Sequence, residues 1–533
     1  MTFLKHFPCL SRFSRYFHKS NFMKERSIVT SFLTYSEEFE NDSLTQGNKF
    51  LLLKRSNAVH TFQHLWAGVS GGVEPQDKTP LERAIIEIQE ETDLTTSDIK
   101  LLRSGLPLTI RSEETSTIWK VYPFLFHLDS KDIINKVKIN WEHDTFEWIK
   151  PEDMKSFTTV PHLLETFNRV YLPESVHNGL IYMLKDRSSG AQELAGKALD
   201  IFSEVIKDKS CRQFTTNPKE LYLAWLNIGW HLSEIRPTMK ASITFAILKV
   251  MQQIKDHIID LSNSSSDLLD SSDSVYLDSL EKYSLDIIEE LKIASKEEER
   301  KINATFMSTL FSNTKVTSLH IMTISYSSTI FSALSQLIIK NVTSDHPYNL
   351  TITILESRPL NEGATLANKL SHILNKNVTS KKNDFVKIQV ITDASCNYFM
   401  PTITHVLLGS DIILGNDGSV INKMGSSLLA LSAKHHKKPV YVVSRIDKII
   451  SSDSSIKYDT MEEKDANEII SIYEKEWNKT ITVRNVYFEK VEPNLIDGYI
   501  TNETNKTQRF LTIKDIRLLE KKIKSMEIIF DEL

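Results

Sequence analysis

Residues 71–94 constrain the fold of this chain most, because a glycine pair there directly precedes an acidic amphipathic stretch. Glu87, Glu90 and Glu91 are spaced at i, i+3 and i+4, so on a helix their side chains lie on one face. Convergent carboxylates suit Mg²⁺ or Mn²⁺, and such an ion can neutralise a diphosphate and orient a water molecule. Acidic triplets are also common on solvated helix faces. The spacing alone therefore leaves a metal site and a solvated surface as alternatives.

Apolar runs that predict strands surround this helix. They are residues 49–56, 64–74 and 146–154. The second run is predicted to enter a turn at Gly71 and Gly72. This order of strand, glycine loop and carboxylate helix resembles the Nudix hydrolases over residues 28–172. The resemblance implies an α/β/α sandwich that hydrolyses a nucleoside diphosphate-linked small molecule, with Glu87, Glu90 and Glu91 as the catalytic residues that hold Mg²⁺ or Mn²⁺.

The stretch departs from the Nudix pattern at three positions. Lys78 stands where the pattern has its first Glu, Ile86 where it has an Arg, and Asp93 where it has its last Gly. In that family the Arg orients the first helix carboxylate. Arg83 lies one helical turn before Glu87 and can take over this role, although a surface ion pair explains the same spacing. The sequence therefore leaves open whether the hydrolase activity is retained or lost.

Length and charge narrow the classes of function. At 533 residues the chain is too long for one core, and about 150 residues per domain predicts about three domains. A formal net charge of −5 argues against direct nucleic-acid binding through bulk electrostatics. No apolar run reaches the roughly 18 to 20 residues that a membrane span requires. Neither a membrane role nor a direct nucleic-acid role is therefore predicted.

Residues 1–27 form a basic leader whose first acidic residue is Glu25. This composition is typical of a mitochondrial presequence. A disordered leader, or an upstream extension with the true start at Met23, fits equally well. The predicted location is therefore cytoplasmic, with the mitochondrion as the alternative.

The pattern changes twice beyond residue 173. Apolar residues recur at three and four positions in the first stretch, which predicts core-facing helices, and a solvated Ser/Asp-rich loop interrupts them at residues 262–274. From residue 318 onward, short β-branched runs alternate with helical stretches, which predicts a parallel sheet covered on both faces. The predicted helices cover residues 175–208, 219–254 and 276–300, and the predicted strands cover residues 319–327, 351–357, 387–393, 405–415 and 438–444.

Polar residues follow these strands at the edge where parallel sheets bind ligands. Among them are Ser325, Ser327, Arg358 and Asp411. One such ending means little, because turns favour Ser and Asp in any case. Several at successive strand ends predict a site for a phosphorylated ligand.

Residues 409–443 closely resemble the initiation factor 2B α/β/δ family, which also contains methylthioribose-1-phosphate and ribose-1,5-bisphosphate isomerases. The resemblance implies a helical subdomain over residues 175–312 and a Rossmann-like subdomain over residues 313–533, through which the protein forms a homodimer. A sugar phosphate and translation-factor subunits are the further partners that it implies. Supporting segments are residues 186–195, 235–239, 325–329, 356–363 and 488–496.

The isomerases of this family use a Cys and an Asp to move a carbonyl along a sugar phosphate. Asp411 fills the Asp position, so the resemblance implies a catalytic role for it. Ser325 stands at the Cys position, and a hydroxyl with no evident neighbouring base is a poor proton shuttle. With Ser at this position the chain resembles the regulatory subunits of the family, which keep the sugar-phosphate pocket and lack the isomerase Cys.

The remaining candidate residues are predicted to bind the ligand rather than to take part in the reaction. We predict that Arg358 clamps a phosphate with its planar guanidinium, with helix capping or pairing with Glu356 as the alternative. Asn422 and Lys423 are predicted to bind a substrate hydroxyl and phosphate, with the start of the following helix as the alternative. Ser327 is assigned to the same ligand-binding set.

The sequence thus predicts an α/β multidomain protein, with a Nudix α/β/α sandwich followed by the helical and the Rossmann-like subdomains. The first functional hypothesis is a bifunctional protein whose Nudix part releases a sugar phosphate that the second part binds or isomerises. The alternative is a non-catalytic regulator that acts in translation initiation or assembly. The departures from both family patterns favour the alternative, and the retained carboxylates favour the first.

Overall fold

The computed structural model of the protein describes residues 24–36, 46–112, 116–128, 130–186, 189–213, 215–264, 274–311, 317–377, 383–451, 463–471, 480–503 and 509–533. The chain divides into two compact units, one within residues 1–177 and one over residues 178–532. In the described parts of the chain, no helix combines the length and the apolar character needed to cross a bilayer.

The N-terminal unit is built on one mixed sheet of eight strands. The first strand pairs parallel with the seventh, and all other pairings are antiparallel. Aliphatic and aromatic side chains fill both sheet faces in two separate clusters. The elements are β1 Lys24–Tyr35, β2 Lys49–Arg55, β3 Trp66–Ala67, β4 Val69–Gly72, α1 Pro80–Thr92, β5 Lys100–Ser104, β6 Leu108–Ser112, β7 Thr117–His127, α2 Lys131–Ile134, β8 His143–Ile149 and α3 Leu163–Asn168.

Two details of this unit differ from the sequence-based boundaries. Strand β1 begins at Lys24, four residues before the predicted domain start, because residues 24–27 continue the parallel ladder with β7. The predicted leader therefore overlaps the sheet, and its residues 1–23 lie outside the described part of the chain. The predicted domain limits at residues 28 and 172 stay a proposal.

In the residues that the structure describes, five helices open the second part of the chain. The first predicted helix is divided between Lys185 and Ala191 and the second between Glu234 and Lys240, while the last is longer than predicted at both ends. Residues 265–273 of the predicted Ser/Asp-rich loop lie outside the described residues, and residues 262–264 belong to the helix before it. The helices are α4 Glu174–Lys185, α5 Ala191–Lys207, α6 Pro218–Glu234, α7 Lys240–Ser264 and α8 Ser274–Leu310.

A six-stranded sheet follows, and every pairing in it is parallel, as predicted. Its strands are β9 Ser318–Ile324, β10 Asn349–Leu355, β11 Val386–Ile391, β12 His405–Leu408, β15 Val440–Val443 and β18 Gly498–Ile500. The spatial order β11-β10-β9-β12-β15-β18 reverses direction between β9 and β12. Doubly wound sheets bind ligands at such a reversal, beyond the carboxyl ends of the strands.

A second, four-stranded sheet was not predicted. Its strands are β13 Ile412–Leu414, β14 Val420–Lys423, β16 Ile449–Ile450 and β17 Phe488–Val491. Residues 405–415, predicted as one strand, divide into β12 and β13 because the chain leaves the first sheet at Gly409 and Ser410. The remaining helices are α9 Ser328–Thr343, α10 Glu362–Asn377, α11 Cys396–Phe399, α12 Ser426–His435, α13 Asn467–Ile470 and α14 Ile513–Glu527.

The last turns of α8 pack into the core of the six-stranded sheet. Ile302, Phe306 and Leu310 lie in one buried cluster with residues of β9 and α9. The predicted division between the subdomains at residues 312 and 313 follows this helix directly. This division rests on the family resemblance and stays a proposal, because the packing of α8 into the sheet core does not mark a boundary there.

Candidate functional site

Helix α1 carries the predicted carboxylates, and its sequence explains where it begins and ends. The Thr79 hydroxyl accepts a hydrogen bond from the backbone N–H of Glu82 at 3.2 Å, and Pro80 occupies the first turn, where its missing N–H costs nothing. The helix ends at Asp93, whose φ of 62° lies in the left-handed region. Glycine favours that region, and Asp tolerates it better than most residues. Asp93 thus adopts the cap conformation that fits the Gly of the Nudix pattern.

The three carboxylates have different environments on this helix. Glu90 is exposed, Glu87 is half-buried, and Glu91 is buried with 2% of its surface exposed. Oε1 of Glu91 accepts a hydrogen bond from the backbone N–H of Ser70 at 3.1 Å. Its Oε2 is buried and accepts no hydrogen bond from the described residues. This oxygen lies 3.6 Å from Nε2 of His143.

The glycine pair is not a turn. Gly71 and Gly72 form the end of β4 and pair with Val29 and Ile28 of β1. Their predicted assignment is wrong because the chain turns later, at residues 75–76. Gly71 has another purpose: a Cβ placed on it would lie 1.8 Å from Oε1 of Glu87. The missing side chain makes room for this carboxylate against the strand.

Arg83 orients Glu87. Its guanidinium binds both carboxylate oxygens of Asp77, with Nε–Oδ2 at 2.9 Å and Nη2–Oδ1 at 3.2 Å, while Nη1 lies 3.3 Å from Oε1 of Glu87. All three side chains are largely buried. The hydrogen bond from Arg83 lowers the pKa of Asp77. Arg83 therefore contacts Glu87 as the spacing predicts, and its replacement of the Arg of the Nudix pattern stays a prediction.

Burial and mutual repulsion raise the pKa of Glu87 and Glu91. Burial raises the pKa of Glu87, the charge of Glu90 raises it further, and Arg83 opposes both. Burial also raises the pKa of Glu91 well above its usual range, with smaller contributions from Glu87 and Glu142. Burial lowers the pKa of His143 to about 4, so this imidazole is neutral at pH 7 and supplies no charge to Glu91.

Glu142 was missed by the sequence reasoning. Its charge contributes to the raised pKa of both Glu87 and Glu91, although it lies at the residue before β8. Fifty residues of chain separate it from the helix, and no local spacing signals the approach.

The residues fit a divalent cation by their chemistry. The donors are carboxylate oxygens, which Mg²⁺ and Mn²⁺ prefer, and Oε2 of Glu91 is a buried acceptor that a cation would satisfy. In the present side-chain positions, no three acidic, His or Cys side chains of the described ranges converge closely enough to hold an ion. The assignment of Glu87, Glu90 and Glu91 as metal ligands therefore remains a prediction.

The second candidate site lies at the reversal point of the parallel sheet. Ser325 follows β9 with a φ of 62°, and its hydroxyl donates to Oε2 of Glu362 at 2.9 Å. Lys423, at the end of β14, places Nζ 2.9 Å from the same oxygen. One carboxylate oxygen thus joins two of the predicted residues. Ser325 has the neighbouring acidic group that the sequence did not reveal.

Asp411 belongs to the same group of charges. Burial raises its pKa, Lys448 and Lys423 oppose this effect, and Glu362 adds to it. The ammonium of Lys448 in turn donates to the backbone oxygen of Ser410. We call Ser325, Glu362, Asp411, Lys423 and Lys448 the strand-end cluster. Glu362 and Lys448 were missed, although Glu362 lies in the segment 356–363 that carried the second resemblance.

The other predicted binding residues have structural roles or stand apart. The amide of Asn422 donates to Ser426 Oγ at 2.8 Å at the start of α12, which fits the alternative of helix initiation. Ser327 caps α9 and accepts a hydrogen bond from the N–H of Ile330 at 3.4 Å. Arg358 is exposed, and within the described residues its guanidinium forms neither an ion pair nor a hydrogen bond. Helix capping and pairing with Glu356 are therefore not what its side chain does here.

Comparisons with known proteins match two parts of the chain to two different families. Residues 187–506 match the initiation factor 2 subunit family, and residues 43–173 match the NUDIX domain. The chain is 32% identical over 113 residues to the beta subunit of translation initiation factor eIF2B from Schizosaccharomyces pombe, a match that covers 21% of this chain and 28% of that protein.

Ribose 1,5-bisphosphate isomerase from Pyrococcus furiosus is 31% identical over 119 residues, which cover 22% of this chain and 36% of that enzyme. The chain thus spans about a third of the length of these curated relatives. The crystal structure of eIF2B beta from Chaetomium thermophilum has a TM-score of 0.48 and 16% sequence identity, covering 66% of this chain and 92% of that chain.

Proposed function

Because the chain belongs to the initiation factor 2 subunit family and contains a NUDIX domain, we propose that it is a bifunctional sugar-phosphate protein. Its N-terminal unit hydrolyses a nucleoside diphosphate-linked small molecule with Mg²⁺ or Mn²⁺. Its C-terminal unit binds a sugar phosphate of the kind that this reaction releases. Isomerisation is not part of the proposal, because Ser325 stands at the position of the isomerase Cys.

The observation that supports the hydrolase most is the state of Glu91. Its side chain is buried, one oxygen has no partner among the described residues, and the neighbouring His143 is neutral at pH 7. Burying a carboxylate without a cation is costly, and a protein that needs only a stable helix would place an apolar residue there. A bound cation would offset this cost and neutralise a diphosphate.

The chain's own residues position this chemistry. The N–H of Ser70 holds Oε1 of Glu91 and leaves its other oxygen without a hydrogen bond from the described residues. Arg83, fixed by Asp77, holds Glu87 in the space above Gly71. Both carboxylates are therefore preorganised, and a preorganised site avoids rearrangement during the reaction. When bound, the metal supplies charge neutralisation and an oriented water for cleavage of a P–O bond.

The products connect the two halves. Hydrolysis of a substrate such as ADP-ribose yields AMP and ribose phosphate. Relatives of the second half are named isomerases of phosphorylated sugars. Because the second site is on the same chain, the effective concentration of a released product at that site reaches the millimolar range if the linker is short.

We also propose that the protein forms a homodimer through the C-terminal subdomain and that translation-factor subunits are further partners. Helix α12 supports self-association, because Met424, Leu428 and Leu431 are exposed on and beside it. Light scattering of the purified protein should give twice the 61.2 kDa chain mass. A monomer mass across the micromolar range would contradict the dimer. For location we propose the cytoplasm, with the mitochondrion as the alternative.

The hydrolase is tested with a panel of nucleoside diphosphate conjugates, with Mg²⁺ or Mn²⁺, and chromatography of the nucleoside monophosphate product. Glu90→Gln should abolish turnover and leave folding intact, because Glu90 is exposed. Glu82→Gln is the matched control, since it removes the same charge from the same helix outside the site. Turnover that survives in Glu90→Gln would show that the assigned metal site is wrong.

A further inference from the structure

Glu362 occupies the centre of the strand-end cluster. Its Oε2 accepts the hydrogen bond from Ser325 and pairs with Lys423, each at 2.9 Å. Glu362 lies in the first turn of α10, where the helix dipole favours a negative charge. This carboxylate therefore takes the position at which an anionic group of a ligand would meet the cation of the pocket.

Lys423 has little freedom to serve a second anion. Its side chain is buried, and Nζ lies 3.8 Å from the centre of the Tyr487 ring on its other side. A buried ammonium held between a carboxylate and an aromatic ring is already neutralised. A phosphate that approaches it meets the charge of Glu362 at contact distance and that of Asp411 nearby.

The charges of the cluster balance. Its two cations, Lys423 and Lys448, match its two acidic groups. Lys423 pairs with Glu362, and Lys448 donates to the backbone oxygen of Ser410, the residue before Asp411. A phosphate dianion would leave the pocket with excess negative charge. Like charges at a few ångströms inside a protein repel strongly, since water screens them poorly there.

From this arrangement we propose that Glu362 is a specificity-determining residue that fills the anion position of the C-terminal pocket. The pocket then takes the uncharged hydroxyl end of a sugar at this point and rejects a phosphate there. The phosphate of a sugar phosphate must lie elsewhere, and we assign it to the exposed Arg358, which follows β10 at the same edge of the sheet. This inference rests on the proposed sugar-phosphate binding and assigns the orientation of the ligand.

The experiment is calorimetry on the full chain with inorganic phosphate and ribose 5-phosphate as separate probes. Glu362→Gln keeps the shape and the hydrogen bond to Ser325 while removing the charge. It should bind inorganic phosphate at least tenfold more tightly than the wild type, and the added change Lys423→Met should abolish the gain. Glu297→Gln, which removes one exposed acidic charge from α8, should match the wild type.

The outcomes separate the inference from the proposed function. Wild-type protein that binds ribose 5-phosphate, with phosphate binding unchanged in Glu362→Gln, overturns the inference and leaves the proposed function standing. If no variant binds either probe, both fail for the C-terminal half, while the hydrolase assay still decides the N-terminal half. Should Glu362→Gln not fold, as judged by thermal unfolding, Glu362→Ala removes the same charge and must show the same gain.

Discussion

Replacing Gly71 with Ala tests the carboxylate site at its most sensitive point. A Cβ at this position would lie 1.8 Å from Oε1 and 2.0 Å from the carboxyl carbon of Glu87. Even a tight contact needs 3.0 Å, so the carboxylate must retreat by about 1.2 Å, the difference between 3.0 and 1.8 Å. A displacement of about 1 Å can cost a factor of about 100 in rate when a reaction depends on positioned groups.

The effect on stability should be much smaller than the effect on rate. Glu87 is the flexible end of a side chain, and Gly71 has no left-handed backbone that would strain an alanine. The variant weakens the contact between Arg83 and Glu87, which lowers the stability. In the opposite direction, an alanine reduces the conformational entropy of the unfolded chain, which stabilises the folded state by about 0.4 to 1 kcal/mol. We therefore expect the free energy of unfolding to change by about 1 kcal/mol or less.

Gly72→Ala is the matched control, because nothing lies within 4 Å of the position of its Cβ. The assay compares kcat/KM for the best substrate of the panel in both variants, together with urea unfolding. Gly71→Ala should lose activity by about 100-fold, whereas Gly72→Ala should keep it. Equal activity of the two variants would refute the argument that Glu87 must sit against β4.

Two further predictions concern other parts of the chain. Arg358→Ala should weaken ribose 5-phosphate binding by about 2 kcal/mol in calorimetry without changing thermal stability, because the side chain is exposed and truncating a charged hydrogen-bond donor costs about this much; unchanged affinity would remove Arg358 from the site. Hydrogen bonds from Lys136 and Thr95 lower the pKa of Asp98 to about 2, so its contribution to stability is present above about pH 4 and is lost as the pH falls towards 2. The stability difference between the wild type and Asp98→Asn in urea should accordingly shrink between pH 5 and pH 3, and a constant difference would contradict the assigned pKa.

The sequence predicted what local pattern and strand composition determine. The carboxylate helix, the parallel sheet and the link between Arg83 and Glu87 follow from spacings of a few residues. The glycine turn was wrong because the requirement for Gly71 comes from Glu87, sixteen residues later in the chain, rather than from the backbone. The role of Glu362 could not be found in this way, since it arises from contacts with Ser325 and Lys423 in distant segments.

The division at Gly409 and Ser410 shows a different limit. Residues 405–415 form one apolar run in the sequence, and nothing in its composition marks where the chain changes sheets. The backbone N–H of Asp411 bonds to the oxygen of Ile421 in β14, so the second sheet decides the break. That hairpin brings Lys423 towards Asp411 and thereby assembles the strand-end cluster.

Helix α8 has a consequence for how the C-terminal half can be dissected. Its 37 residues extend over about 56 Å. About two thirds of the way along it Glu298 pairs with Arg445, and its last turns lie in the sheet core with Phe306. After a cut at residue 312, the C-terminal fragment would lack the helix that covers part of its six-stranded sheet. The N-terminal fragment would expose the apolar last turns of α8 to water. The helical segment and the sheet should therefore melt in a single cooperative transition, and a stable truncated protein needs α8 retained in full.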